Sequence, residues 1–208
     1  MENYNKNQVK ISTENINSNY LNYKNKTIES AENVLGIKIS TLLRLAIAVA
    51  IPNKNLAMSI RKEALNIADE QEVKEAELIS AALRAGAAVA YGRLVFKFIE
   101  GNSEFISENI IEQIKEDRKY MTNMRNTDAE SFDLMAKYMS SLHGKGMRIN
   151  PKDYELIAIA CATITQCAYC LQKHTADAIK AGATKIEMAA AIHLAIGMRV
   201  EASLEDLI

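Results

Sequence analysis

The residues able to do chemistry sit close together in one stretch: Cys167, Ala168, Tyr169, Cys170, Leu171, Gln172, Lys173 and His174. In a helix, Cys167, Cys170 and His174 are related by i, i+3 and i+7, so all three lie on one face. Two thiols and a titratable base along one stripe suit dithiol–disulfide chemistry. Cys170 and His174, one turn apart, are close enough to share a proton. A cysteine at a helix start also meets unsatisfied N–H groups and the positive dipole end, which favour a thiolate.

Other readings of the same residues are open. A thioredoxin-like CxxC follows a strand in a βαβ context, and no strand pattern precedes this one. A zinc-stabilised helical interaction protein would use Cys167, Cys170 and His174 as ligands, with His143, His193 or Glu155 as the fourth. The bland reading is two core cysteines and a surface histidine. Cys161, six residues earlier in an apolar run, reads as core. His193 shares a face with Ile186 and Ile196 and reads as a hydrogen-bonded core histidine.

Glu155 stands twelve positions before Cys167, near the start of the preceding helix. If the chain reverses near Gln166 and the two helices pack antiparallel, Glu155 lies roughly 15 Å back along one and His174 about 10 Å down the other. A carboxylate–imidazole contact, direct or through water, is then within reach. The alternative is that Glu155 merely favours the positive end of its helix.

The elements that must hold these residues read as helices throughout. Eight glycines and two prolines in 208 residues leave little turn chemistry. Dense apolar residues over 35–51 end at Pro52. Helices follow over about 55–68 and from Val73 to as far as Ile99. Ser103 is read as the cap of a helix through Phe105 and Ile106 to about Met124. Thr127 with Glu130 forms a capping-box pattern, opening a helix through Phe132, Met135, Ala136 and Met139. His143, Gly144, Lys145 and Gly146 read as a loop, because no strand and no phosphate-loop pattern accompanies the lysine. Asn150 and Pro151 start the next helix, a break is expected before Cys167, and Gly182 closes the cysteine helix. Thr184 and Glu187 box the start of a last helix through Ile186, Ile192, Ile196 and Val200.

Sliding the chain by 114 residues lays 42–65 over 156–179, an internal repeat carried mostly by alanine and aliphatic pattern. The chemistry does not repeat. Opposite Glu155, Cys167, Cys170 and His174 stand Thr41, Asn53, Leu56 and Ile60. Residues 1–33 hold nine asparagines and little apolar periodicity, and read as a mobile or loosely docked arm before a helical domain over 34–208.

A formal net charge of −1 gives no electrostatic case for nucleic acid or an anionic membrane surface. The nearly apolar runs 39–51 and 156–171 fall short of the roughly 18–20 residues a span needs. The polar N-terminus has no apolar h-region, so a cytoplasmic location is expected. Three cysteines with one CxxC pair point to a redox pair or part of a metal site rather than a disulfide framework. The helices from Leu42 and Leu156 are apolar on more than one face, which predicts a homo-oligomer.

Glu155, twelve residues, then Cys167-x-x-Cys170-x-x-x-His174 in an all-helical, alanine-rich chain resembles the AhpD-like alkylhydroperoxidases of the carboxymuconolactone decarboxylase superfamily. The specific resemblance covers residues 150–199, and 34–100 resembles the family only through the degenerate repeat. It implies an all-α, AhpD-like bundle assembled as trimers or hexamers. It also implies thiol-dependent reduction of hydroperoxides or of a protein disulfide, with a peroxiredoxin as possible partner and a lipoyl or thioredoxin-type electron donor. Glu155 and His174 would relay a proton to Cys170, Cys167 would be its disulfide partner, and no cofactor beyond that redox-active disulfide is implied. AhpD itself has histidine where this chain has Tyr169. The decarboxylase members lack the cysteine pair, which argues against lactone chemistry.

Overall fold

Few helix breakers and abundant alanine dictate the architecture. The computed structural model describes residues 13–99, 110–142 and 146–205, and among them every regular element is an α-helix. They are α1 (Thr13–Leu35), α2 (Ile37–Ala50), α3 (Lys54–Ala64), α4 (Glu70–Ile99), α5 (Ile110–Thr127), α6 (Ala129–Ser141), α7 (Pro151–Ile164), α8 (Ala168–Lys180) and α9 (Lys185–Glu205). Ser103, Phe105, Ile106, His143, Gly144 and Lys145, and the first twelve residues, lie outside the described residues.

The order α2–α3–α4 recurs as α7–α8–α9, the later helices opening 114, 114 and 115 residues after the earlier ones. In each set a short helix follows a long buried one and a longer helix packs back on the first. At the centre, α2 and α7 pack on each other and are enclosed by α4 and α9. Leu42, Leu45, Ile47, Leu156, Ile157 and Ile159 are there shielded from solvent almost completely. Helix α7 is buried on nearly every face, as a helix without an amphipathic stripe must be.

The first helix departs from the sequence expectation. From Thr13 onward the polar segment is no loose arm but a 23-residue helix docked along α9. Tyrosines and a charge pair, rather than an apolar stripe, hold it. Tyr20 Oη donates to the Gly197 carbonyl at 3.4 Å, Tyr23 Oη lies 2.9 Å from His193 Nδ1, and Lys24 pairs with Glu201. His193 is thus hydrogen-bonded, as expected, but exposed rather than in the core. Ile186, Ile196 and Val200 are exposed too, because α9 buries Ala191, Leu194, Ala195 and Met198 instead.

Helix α4 contains a 28-residue stretch, Glu70–Lys97, long and apolar enough to cross a membrane by length and composition. The apolar runs singled out from the sequence did not include it. Val73, Ala76, Ile79 and Ala82 of that stretch are wholly buried in the protein core.

The helix ends follow the local sequence with one correction. Asn150 caps α7 by accepting from Asp153 N at 3.0 Å, with Pro151 next. Thr184 and Glu187 exchange the two bonds of a capping box. The cap of α6, however, is Asp128, which accepts from Ser131 N at 3.1 Å, and not Thr127. Thr127 instead belongs to α5, where its hydroxyl donates to the Asn123 carbonyl.

Candidate active site

The turn from α7 into α8 builds the site. Gln166 adopts φ 54, a left-handed conformation that reverses the chain after Thr165. Cys167 then becomes the N-cap of α8, its Sγ accepting from Cys170 N at 3.2 Å in the way an oxygen usually does. The far end of α8 closes with the paired bonds of a Schellman motif: Ala183 N to the Ala178 carbonyl, and Gly182 N to the Ile179 carbonyl. Gly182, at φ 86, supplies the left-handed residue this ending requires.

Cys167 and Cys170 are joined as a disulfide, their Cα atoms 5.2 Å apart. Both are buried, in a small apolar cluster with Ala87, Ala90 and Ala162 that is separate from the main core. Arg93 of α4 lies over the Tyr169 ring, 5.4 Å from its centroid.

Helices α7 and α8 pack antiparallel, and the predicted contact forms directly. His174 Nδ1 is 2.7 Å from Glu155 Oε2, and both residues are buried. An ionised carboxylate can only accept, so the contact places the proton on Nδ1 and leaves Nε2 as the ring's other proton-carrying position. Next to Glu155, burial first and the Glu155 charge second push the Tyr154 phenol up, so it stays a neutral donor. Asp177, one turn beyond Lys173, is held down to about 2 by Lys180 and Lys173.

Cys170 and His174 open onto a cavity of about 470 Å³. Its walls come from five helices and are mainly apolar: Leu83 and Val89 of α4, Met121 of α5, and Phe132, Met135 and Met139 of α6. Tyr154 and Tyr169 add the polar edges, and Lys173 lies at its rim. Helix α6 has no fully buried residue, so its apolar stripe is spent on this wall. At Gly86 α4 lies close against α6, since a Cβ there would stand 3.1 Å from Met139 Cε.

Of the residues singled out in the sequence, Glu155, Cys167, Cys170 and His174 come together here. Cys161 does not. It is wholly buried 3.6 Å from Ser80 Oγ, and burial pushes its thiol up to about 12. Among the described residues no three His, Cys, Asp or Glu side chains gather to hold a metal ion, and His193 is engaged with Tyr23. The cavity wall was not foreseen. Its signals were a Met- and Phe-bearing stripe on a helix with little else to bury, and a glycine within an alanine run.

The opposite half holds no such group. Where Glu155 stands, it has Thr41, buried with its hydroxyl unpartnered among the described residues. Leu56 and Ile60 fill the positions of Cys170 and His174, and Asn53 caps α3 as Cys167 caps α8.

Among known proteins, the carboxymuconolactone decarboxylase family model matches residues 129–202, which include all four site residues. No curated protein and no solved structure matches the chain.

Proposed function

With residues 129–202 matching the carboxymuconolactone decarboxylase family, we propose that the protein is a dithiol oxidoreductase that reduces hydroperoxides. The observation that carries the reading is a cysteine pair at bonding distance, one member of which shares an apolar cavity with a histidine hydrogen-bonded to a buried carboxylate.

In the reduced enzyme, Cys170 gives its proton toward His174 and attacks as the thiolate. Its sulfur takes the terminal oxygen of ROOH, the O–O bond breaks, and the alkoxide leaves as ROH after accepting a proton from the imidazolium. Cys170 is then a sulfenic acid. The Cys167 thiol displaces its hydroxyl, giving the Cys167–Cys170 disulfide and water. An external dithiol restores both thiols and becomes a disulfide. The balance is ROOH plus one dithiol to ROH, water and one disulfide.

Glu155 fixes the imidazole orientation and stabilises its charged form, as carboxylates do for catalytic histidines. The position of Cys170 on the cavity wall, with Cys167 as the buried N-cap of the same helix, supports Cys170 as attacker and Cys167 as resolving thiol. Tyr91, Val95 and Ile99, exposed along one face of α4, support self-association.

Steady-state consumption of an alkyl hydroperoxide with a small dithiol donor tests the reading. Turnover is expected in the wild type and absent in Cys167→Ser and Cys170→Ser. Stoichiometric zinc in protein purified under reducing conditions, released with loss of fold, would favour the zinc-stabilised interaction protein instead.

A further inference from the structure

A second cleft, of about 580 Å³, lies where the C-terminal ends of α2 and α7 meet α4 and α9. Its lining pairs up across the two halves. Ala50 and Ile51 face Ile164 and Thr165 at the 114-residue offset, and Arg84 faces Arg199 at 115. The cleft therefore sits on the seam between the halves, and among the described residues it shares no lining residue with the dithiol cavity.

Its charge is one-sided. Among the described residues, two arginines line it and no carboxylate does. At the C-terminal end of α7, each of the last four carbonyls already has a donor. Thr165 N and Oγ1 serve Cys161, Cys167 N serves Ala162, Gln166 N serves Thr163, and Arg199 Nη1 serves Ile164 at 2.8 Å. Arg199 is thereby fixed in place. Arg84, its counterpart, makes no hydrogen bond or ion pair among the described residues, so its whole donor fork is available.

We propose that this cleft binds a small organic oxyanion, a carboxylate or phosphate monoester, with Arg84 as the principal ligand and Arg199 as the fixed second cation. A guanidinium fork matches the geometry of either group. Ala50, Ile51, Pro52, Ile164 and Ala202 form the apolar wall for the ligand's carbon body, and the volume is that of a metabolite-sized pocket. The proposal goes beyond the dithiol chemistry and does not depend on it.

Isothermal titration of the full chain with hexanoate and with inorganic phosphate, against chloride at matched ionic strength, tests it. At least one probe should bind with a millimolar or lower Kd. Arg84→Ala should weaken binding about ten-fold or more, because a charge-assisted hydrogen bond is lost. Arg84→Glu should abolish it, and Cys170→Ser should leave it unchanged. Arg84 is exposed, so both of its variants should keep the wild-type helical circular dichroism. Binding of hexanoate alone identifies a carboxylate with an apolar body, and binding of phosphate alone a phosphate ester. No heat beyond chloride for either probe, or binding that survives Arg84→Glu, overturns the proposal.

Discussion

Glu155 and His174, nineteen residues apart in sequence, meet at 2.7 Å between two antiparallel helices, both nearly sealed from solvent. A buried pair of this kind is costly to break and cheap to replace. Removing one partner leaves the other buried polar group unpaired, whereas an apolar pair of similar volume leaves nothing unsatisfied. Glu155→Ala and His174→Ala should therefore each destabilise the fold, by up to about 3–5 kcal/mol. The double variant Glu155→Met with His174→Leu should recover most of that stability and remain inactive. Urea midpoints alongside turnover would show the separation, and a double variant as unstable as the singles would refute it.

Cys161 should be chemically silent. Its thiol, pushed up to about 12, stays protonated where an ordinary thiol near 8.5 ionises. Alkylation of the reduced native protein at pH 8 should spare it, and Cys161→Ala should keep most of the activity. The sign of its effect on stability follows. Between about pH 9 and 12 the unfolded chain has lost this proton while the native protein keeps it, so stability falls as pH rises. The loss approaches 1.4 kcal/mol per unit, roughly, in that window. Cys161→Ala should flatten that slope relative to wild type in urea titrations at successive pH values.

Thr41 carries a prediction of the opposite sign. Its hydroxyl is buried at the place of Glu155 with no partner among the described residues, and an orphaned polar group costs about 1–3 kcal/mol. Thr41→Val keeps the shape and removes the orphan. A gain of about 1 kcal/mol in unfolding free energy is expected, with turnover unchanged.

Much of this was legible in the sequence because it rests on short-range rules. Helix character followed from the lack of breakers, and Asn150–Pro151, Thr184–Glu187 and Gly182 were each readable from local capping chemistry. Glu155 and His174 were placed by counting residues along two helices. The misses were tertiary. Thr127 competes for a cap with Asp128 one residue on, and spacing to Glu130 does not decide between them. Residues 13–33 lack an apolar stripe, so nothing local announced a helix that docks through Tyr20, Tyr23 and Lys24. The isoleucines of α9 suggest its stripe, but small alanines face the core where helices approach closely. The cavity was invisible because five helices meet there, and no one of them encodes the gap.

Gly86 tests the cavity. Its Cβ in Gly86→Ala would meet only the flexible tip of Met139, at 3.1 Å, so the fold should tolerate it while the space beside Cys170 narrows. The KM for a bulky aromatic hydroperoxide should rise several-fold, and that for hydrogen peroxide should hardly change. Equal effects on both would show that substrate does not enter by this route.

The most direct test of the relay is to trap the first oxidised sulfur. In reduced Cys167→Ser protein the resolving thiol is gone, so one equivalent of hydroperoxide should leave a sulfenic acid on Cys170, captured by a sulfenate-specific reagent and located by peptide mass spectrometry. Adding His174→Ala should slow the appearance of that label about 10²–10⁴-fold, the usual worth of general-base assistance. A label on Cys161, or a rate indifferent to His174, would contradict the account.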